Sequence, residues 1–167
     1  MIKSIIILIV GLMTVILGFF ILKKNSKSPS NITYFCLCLF GGSWAVMKSF
    51  QLSVTNIYYH DFLITKLIYI FGTLAPLAYL MFSFYFPYKL RLYPKKLYIS
   101  FLLIPAALIL LILTGVLKME STQIIGKIII RDIITFDFSV FAVYFFLYVF
   151  IGFVLLLKKI HYGAGCS

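Results

Sequence analysis

Acidic residues are scarce in this sequence. The 167 residues contain only four Asp and Glu against 15 Lys and Arg, which gives a formal net charge of +11. Charged residues make up 11% of the chain, whereas hydrophobic residues make up 63%. A soluble domain needs a polar surface that this composition cannot supply, and the mean hydropathy of +1.12 indicates a lipid environment. We therefore predict an integral membrane protein.

Motifs for catalysis and for metal binding are also missing. The sequence contains no G-x-S-x-G, no P-loop, no H-E-x-x-H and no pair of carboxylates inside an apolar run. His60 and His161 have no Cys, Asp or His partner at metal-ligand spacing. We expect no catalytic residues, no metal and no cofactor. The acidic residues are confined to the loops, so a transporter with a proton relay inside the membrane is also poorly supported.

The three cysteines do not make a disulfide framework. Cys36 and Cys38 lie two residues apart in an apolar run, so on a helix they point to nearly opposite faces. They cannot chelate one metal from a regular helix, and we interpret them as packing or lipid-facing residues.

Five apolar runs are long enough to cross a bilayer, which requires about 20 residues. They predict helices at residues 4–22, 32–54, 62–88, 97–117 and 139–157. The predicted fold is an all-α, five-transmembrane-helix bundle, with one membrane domain at residues 1–160 and an unstructured tail at residues 161–167. Between the fourth and fifth helices, the segment GKIIIRDIITFDF is rich in β-branched residues and Gly126 can make a turn. This segment predicts a short β-hairpin-like loop.

Lysine and arginine alternate between the loops. The first loop, the third loop and the tail are basic, whereas the second loop, residues 55–61, has none; the basic residues are Lys23, Lys24, Lys27, Lys89, Arg91, Lys95, Lys96, Lys158 and Lys159. Because basic loops stay in the cytoplasm, the amino terminus is predicted outside and the carboxyl terminus inside, with the hairpin-like loop extracytoplasmic. We expect a multi-pass protein of the cell membrane, with the lipid bilayer as partner and no nucleic acid.

Two lysines, Lys48 and Lys66, lie inside predicted spans at similar depth on consecutive helices. A charge at mid-bilayer costs about 2.5–3.5 kcal/mol on insertion scales, so such residues face the bundle interior or a watery cavity. The alternative is snorkelling, in which the stem carries the ammonium to the headgroups. Both interpretations stay open for Lys66, and a pocket is favoured for Lys48, which lies deeper.

A pocket between these helices would include the neighbours of both lysines. Trp44 shares a helical face with Lys48, and Tyr69 and Thr73 share a face with Lys66. These five residues are the candidate pocket for a small anionic or polar ligand that enters from the extracytoplasmic side.

Pro76 lies in the middle of the third run. Proline has no backbone donor, so it frees a carbonyl one turn earlier, near Gly72, and is predicted to kink the helix. A neighbouring helix or Thr73 can satisfy the freed carbonyl.

Short motifs occur in order along the apolar runs. The second run carries a tryptophan after a small residue, in Gly42-Ser43-Trp44-Ala45. The third has a basic residue, an aromatic, a glycine, a proline and an aromatic-rich end, which are Lys66, Tyr69, Gly72, Pro76 and residues 82–88. The fourth follows a basic loop and contains Ile104-Pro105, and the fifth ends in LLLKK. In this order the motifs resemble the N-terminal seven-helix membrane region found ahead of bacterial sensor histidine kinases and diguanylate cyclases.

The resemblance implies a signal-input domain with its amino terminus outside, which agrees with the charge count. The family region has seven helices, whereas we predict five here and no output domain, so we expect a truncated or stand-alone form. One alternative is a small transporter or half-transporter that works as an oligomer; internal repeats would favour it, and we see none. The other is a structural or assembly protein. A homodimer is a further expectation.

Overall fold

The computed structural model describes residues 2–53, 58–87, 95–117, 121–125, 128–132 and 136–164. Five helices make up most of this part of the chain. They are α1 (Ile2–Lys24), α2 (Pro29–Ser53), α3 (Tyr58–Tyr85), α4 (Lys95–Thr114) and α5 (Phe136–Ala164). Each coincides with one of the predicted apolar runs, so the mainly helical architecture is confirmed.

Four of the described helices are long and apolar enough to cross a membrane. They are Ile2–Lys24, Pro29–Ser53, Leu63–Tyr85 and Phe138–His161. The apolar part of α4, Ile99–Thr114, is shorter. The chain is therefore a multi-pass helical protein by length and composition, and the fifth span stays a prediction.

Helix α5 extends beyond its predicted end. The tail at residues 161–167 was predicted to be unstructured, but α5 continues to Ala164, so that prediction is wrong for residues 161–164. Hydropathy falls at Lys158, but a drop in hydropathy does not end a helix, and basic residues are favourable in a last turn. Residues 165–167 lie outside the described part of the chain.

Helix α3 is the centre of the bundle. Helix α1 packs on α2, α2 packs on α3, and α3 also contacts α4 and α5. The main core cluster joins α3, α4 and α5 through Leu80, Phe84, Leu108, Tyr144, Tyr148 and Leu155. Large apolar side chains cover the outer faces of α1, α4 and α5, as lipid contact requires.

Small residues form the contact between α1 and α2. A Cβ atom on Gly42 would lie 2.7 Å from the carbonyl oxygen of Gly11 and 2.5 Å from Cγ2 of Val15, so only glycine fits. At one end of the same contact, Ser49 Oγ donates a hydrogen bond of 2.7 Å to the carbonyl oxygen of Ser4. Close backbone approach and interhelical hydrogen bonds are the usual basis of helix association in lipid.

Two short strands lie between α4 and α5. Strand β1 (Ser121–Ile125) pairs antiparallel with β2 (Ile128–Asp132), with Ile125 opposite Ile128. Residues 126–127, where a turn would fall, lie outside the described residues. The hairpin-like loop as a whole therefore stays a prediction.

Candidate functional site

Lys48 belongs to a chain of polar groups between α2 and α3. Its Nζ donates a hydrogen bond of 2.6 Å to Oε1 of Gln51, three residues further along α2. Gln51 is 4% exposed, and its Nε2 donates a hydrogen bond of 3.1 Å to Oγ1 of Thr65 in α3. The buried amide is thus oriented with its oxygen toward the cation and its nitrogen toward α3.

The Lys48 ammonium has hydrogen-bonding capacity left over. An ammonium carries three N–H donors, and Gln51 Oε1 is the one acceptor that the structure describes for it. The lysine is only partly exposed, so its charge is incompletely hydrated. An arrangement of this kind can take up a carboxylate, a phosphate or another anion.

Lys66 reaches a different neighbour. Its Nζ donates a hydrogen bond of 3.0 Å to the carbonyl oxygen of Leu113, in the last turn of α4. Carbonyls in a last turn have no intrahelical donor, and a cation there also complements the helix dipole. The described hydrogen bonds of Lys48 and Lys66 therefore lead to different helices, and the shared pocket stays a prediction.

Tyr69 and Thr73 lie in the packed interior. Tyr69 is 6% exposed, and its ring meets that of Phe141 edge to face at a centroid distance of 5.3 Å. Thr73 is fully buried, and its Oγ1 donates a hydrogen bond of 2.7 Å to the carbonyl oxygen of Tyr69. The ring contact packs α3 against α5, whereas the hydroxyl contact lies within α3, and the part of these two residues in a ligand pocket stays a prediction.

Three helices meet at Gly72. A Cβ atom on Gly72 would lie 3.0 Å from Cζ of Phe141 in α5 and 3.4 Å from Cδ1 of Trp44 in α2. Trp44 is 43% exposed, so it covers this junction from the edge of the bundle. The tryptophan and the glycine of the sequence motifs are therefore in contact with each other, a relation that spacing along the chain does not predict.

Helix α3 continues through Pro76, and α5 supplies a donor beside it. Tyr144 OH donates a hydrogen bond of 2.8 Å to the carbonyl oxygen of Thr73, next to the carbonyl of Gly72 that the proline frees. The Thr73 hydroxyl binds Tyr69 instead. A neighbouring helix thus contributes polar contacts at the proline, while the kink itself stays a prediction.

At the opposite end of the bundle, Lys159 is buried. It is 1% exposed, and its Nζ donates hydrogen bonds of 2.9 Å to the carbonyl oxygens of Phe84 and Phe86, where α3 ends. Ser30 Oγ donates a hydrogen bond of 3.0 Å to the carbonyl between them, that of Tyr85. The charge count treated Lys159 as a cation facing the cytoplasm, and it missed this role.

A sequence signal for Lys159 does exist. The buried residues of α5 are spaced by three or four positions, as expected for one helical face; they are Tyr144, Tyr148, Gly152, Leu155 and Lys159. Lys158, one position earlier, is exposed. The two adjacent lysines therefore lie on different faces of α5, a difference that hydropathy does not detect.

A shallow cavity lies elsewhere, between α1 and α2. It has a volume of about 490 Å³ and is lined by Ile2, Lys3, Ser4 and Leu52. None of the five residues predicted to form a pocket lines it. It is open to the surroundings, and we assign it no role.

These features define a class of protein, a multi-pass helical membrane protein built around one central helix. The family model of the N-terminal 7TM region of histidine kinase matches residues 6–165. The chain belongs to this family, which confirms the resemblance to the membrane region of sensor histidine kinases. The family is that of a membrane region and not of a catalytic domain. Comparison with curated proteins and with solved structures found no match.

Proposed function

We propose that this chain is a membrane-embedded signal-input domain of a bacterial signalling protein such as a histidine kinase. The observation that carries the proposal is the family match over residues 6–165. The packing supports it, because α3 contacts α2, α4 and α5, so a change at one end of α3 reaches several helices. A membrane region that precedes a kinase domain is expected to receive the signal and pass it to that domain.

We propose that Lys48 and Gln51 receive a small anionic or polar ligand from the extracytoplasmic side. Support comes from the partly buried ammonium of Lys48 and from the orientation of Gln51 by Thr65. A ligand anion would replace or extend the contact of 2.6 Å between Nζ and Oε1. Because Gln51 also binds α3, ligand uptake would alter the α2–α3 contact.

The proposed orientation has the amino terminus outside and the carboxyl terminus in the cytoplasm, with α4 as a fifth span. The extracytoplasmic β-hairpin-like loop belongs to the same proposal, and the pairing of β1 with β2 supports it. Further support comes from the exposed cations near the ends of α1 and α5, which are Lys23, Lys24, Lys27 and Lys158. The hydrogen bonds of Ser30 and Lys159 to the end of α3 bring these ends to one side of the bundle.

The orientation predicts which single cysteines react from outside. In a background with Cys36, Cys38 and Cys166 replaced by alanine, Ile2→Cys should react with a membrane-impermeant maleimide in intact cells. Ser26→Cys should react only after permeabilisation, because the first loop is cytoplasmic. Both positions are exposed and uncharged, so neither change alters the loop charges. The reverse labelling pattern would show that the orientation is inverted.

The signal-input role predicts that an attached kinase responds at Lys48. The whole chain is joined to the catalytic core of a histidine kinase, and autophosphorylation is measured in membranes with acetate, glutamate or inorganic phosphate outside. At least one anion should change the rate. Lys48→Met should shift that response to roughly 10- to 100-fold higher concentration, since a hydrogen bond to a charged group contributes about 1.5–3 kcal/mol.

Lys3→Met is the matched control for this experiment. Lys3 is an exposed lysine at the same end of the bundle, and no hydrogen bond of its side chain is described. It should respond like the unmodified chain. An equal response in Lys48→Met would rule out Lys48 as the ligand contact, whereas a kinase insensitive both to the anions and to Lys48→Met would contradict the signal-input role.

A further inference from the structure

Helix α5 is bound to α3 on both sides of Pro76. Before the proline, Tyr144 OH donates to the carbonyl oxygen of Thr73 at 2.8 Å. After it, Lys159 Nζ donates to the carbonyl oxygens of Phe84 and Phe86 at 2.9 Å each. Proline removes one backbone hydrogen bond from the interior of α3, so the helix is easiest to bend between these two contacts.

The length of the lysine side chain fits this geometry. The two contacts occur in the same order along both helices, so α3 and α5 run parallel. The segment from Thr73 to Phe84 rises about 16.5 Å, whereas that from Tyr144 to Lys159 rises about 22.5 Å. Long side chains in a helix point back toward its amino terminus, so the Lys159 stem spans the difference of about 6 Å.

Between the two contacts, the helices touch closely at Gly152. A Cβ atom there would lie 2.7 Å from Cε1 of Tyr79 and 3.0 Å from Oγ of Ser83. Both are α3 residues beyond Pro76. Helix α5 therefore follows the second half of α3 along its length, and Lys159 fixes the end of that contact.

The backbone carbonyls at the end of α3 need hydrogen-bond donors from outside the helix. The last carbonyls of a helix lack intrahelical donors. Here the carbonyls of Phe84 and Tyr85, and that of Phe86 just after the helix, accept hydrogen bonds from Lys159 and Ser30. An ammonium at this position also complements the negative end of the helix dipole. Lys159 is thus well placed to hold the end of α3 in one position.

We propose that α5 is a brace for α3, in which Tyr144 holds the half before Pro76 and Lys159 holds the half after it. Bending of α3 at the proline requires that one of these two contacts break. A displacement of the first half of α3 is therefore transmitted to the end of α5 and is not absorbed at Pro76. The brace is a property of the helices themselves, and only its use in signal transmission rests on the proposed function.

The test is amide hydrogen exchange on the full chain in nanodiscs, read separately on the two sides of Pro76. Lys159→Met should speed exchange about tenfold in residues 77–85 and leave residues 66–75 unchanged, because the described acceptors of Lys159 both lie beyond Pro76. Tyr144→Phe, which removes one hydroxyl, should give the opposite pattern. Lys159→Arg should restore most of the protection, since it keeps the charge and the donors.

Lys158→Met is the matched control, because it removes the same charge from the adjacent, exposed position. A change in exchange equal to that of Lys159→Met would overturn the brace, as would a change of equal size on both sides of Pro76. A purely structural role would loosen the whole bundle and give that even pattern. If Lys159→Met does not fold, Tyr144→Phe decides: faster exchange confined to residues before Pro76 supports the brace, and faster exchange beyond it overturns the proposal.

Discussion

Replacement of Gly42 by leucine is expected to separate α1 from α2 and to destabilise the bundle by about 3 kcal/mol. A Cβ atom at this position already meets the Gly11 carbonyl oxygen at 2.7 Å and Val15 Cγ2 at 2.5 Å. The first of these atoms is backbone, so it cannot move aside by a change of rotamer, and the helices themselves must part. Unfolding by SDS in mixed micelles, followed by far-UV circular dichroism, measures the free-energy change.

Gly41 provides a matched control, since it is the adjacent residue in the same helix. A Cβ atom on Gly41 would meet nothing within 4 Å. Gly41→Leu should therefore be neutral or stabilising by up to about 1 kcal/mol, the usual cost of glycine in a helix. Equal losses of stability for the two variants would show that Gly42 is required for the flexibility of α2 and not for its contact with α1.

The two glycines also show how far the sequence predicts this fold. Apolar runs locate the helices because a membrane span needs a continuous apolar segment of defined length. Which of two adjacent glycines faces a neighbour depends on how the helices pack, and nothing in their local sequence distinguishes Gly41 from Gly42. The positions of the helices were therefore predictable, and the contacts between them were not.

The lysines illustrate the same limit at the candidate site. Lys48 and Lys66 stand out because charged residues inside apolar runs are rare. Gln51 lies three residues after Lys48, so helical spacing already places the two on one face. The Leu113 carbonyl lies 47 residues after Lys66, and spacing along the chain does not predict that contact. Lys159 was missed because the positive-inside rule counts charges and takes no account of which face of a helix they occupy.

Tyr148→Ala is expected to cause the other large loss of stability, again about 3 kcal/mol. Tyr148 is 1% exposed, and its ring meets that of Phe101 edge to face at a centroid distance of 5.8 Å. Its hydroxyl donates a hydrogen bond of 2.9 Å to the Phe101 carbonyl oxygen, so it joins α5 to α4. In lipid the transfer of apolar surface contributes little, so the loss comes from packing and from this hydrogen bond.

Two further variants separate these contributions in the same SDS titration. Tyr148→Phe keeps the ring and should lose only about 0.5–1.5 kcal/mol, the usual net worth of one hydrogen bond. Phe150→Ala removes a ring that is 66% exposed on the same helix, and its effect should stay within about 0.5 kcal/mol. If Phe150→Ala were as destabilising as Tyr148→Ala, the contacts of Tyr148 with α4 would not explain the loss of stability. The large difference we expect between two aromatic residues two positions apart follows from the face of α5 that each occupies.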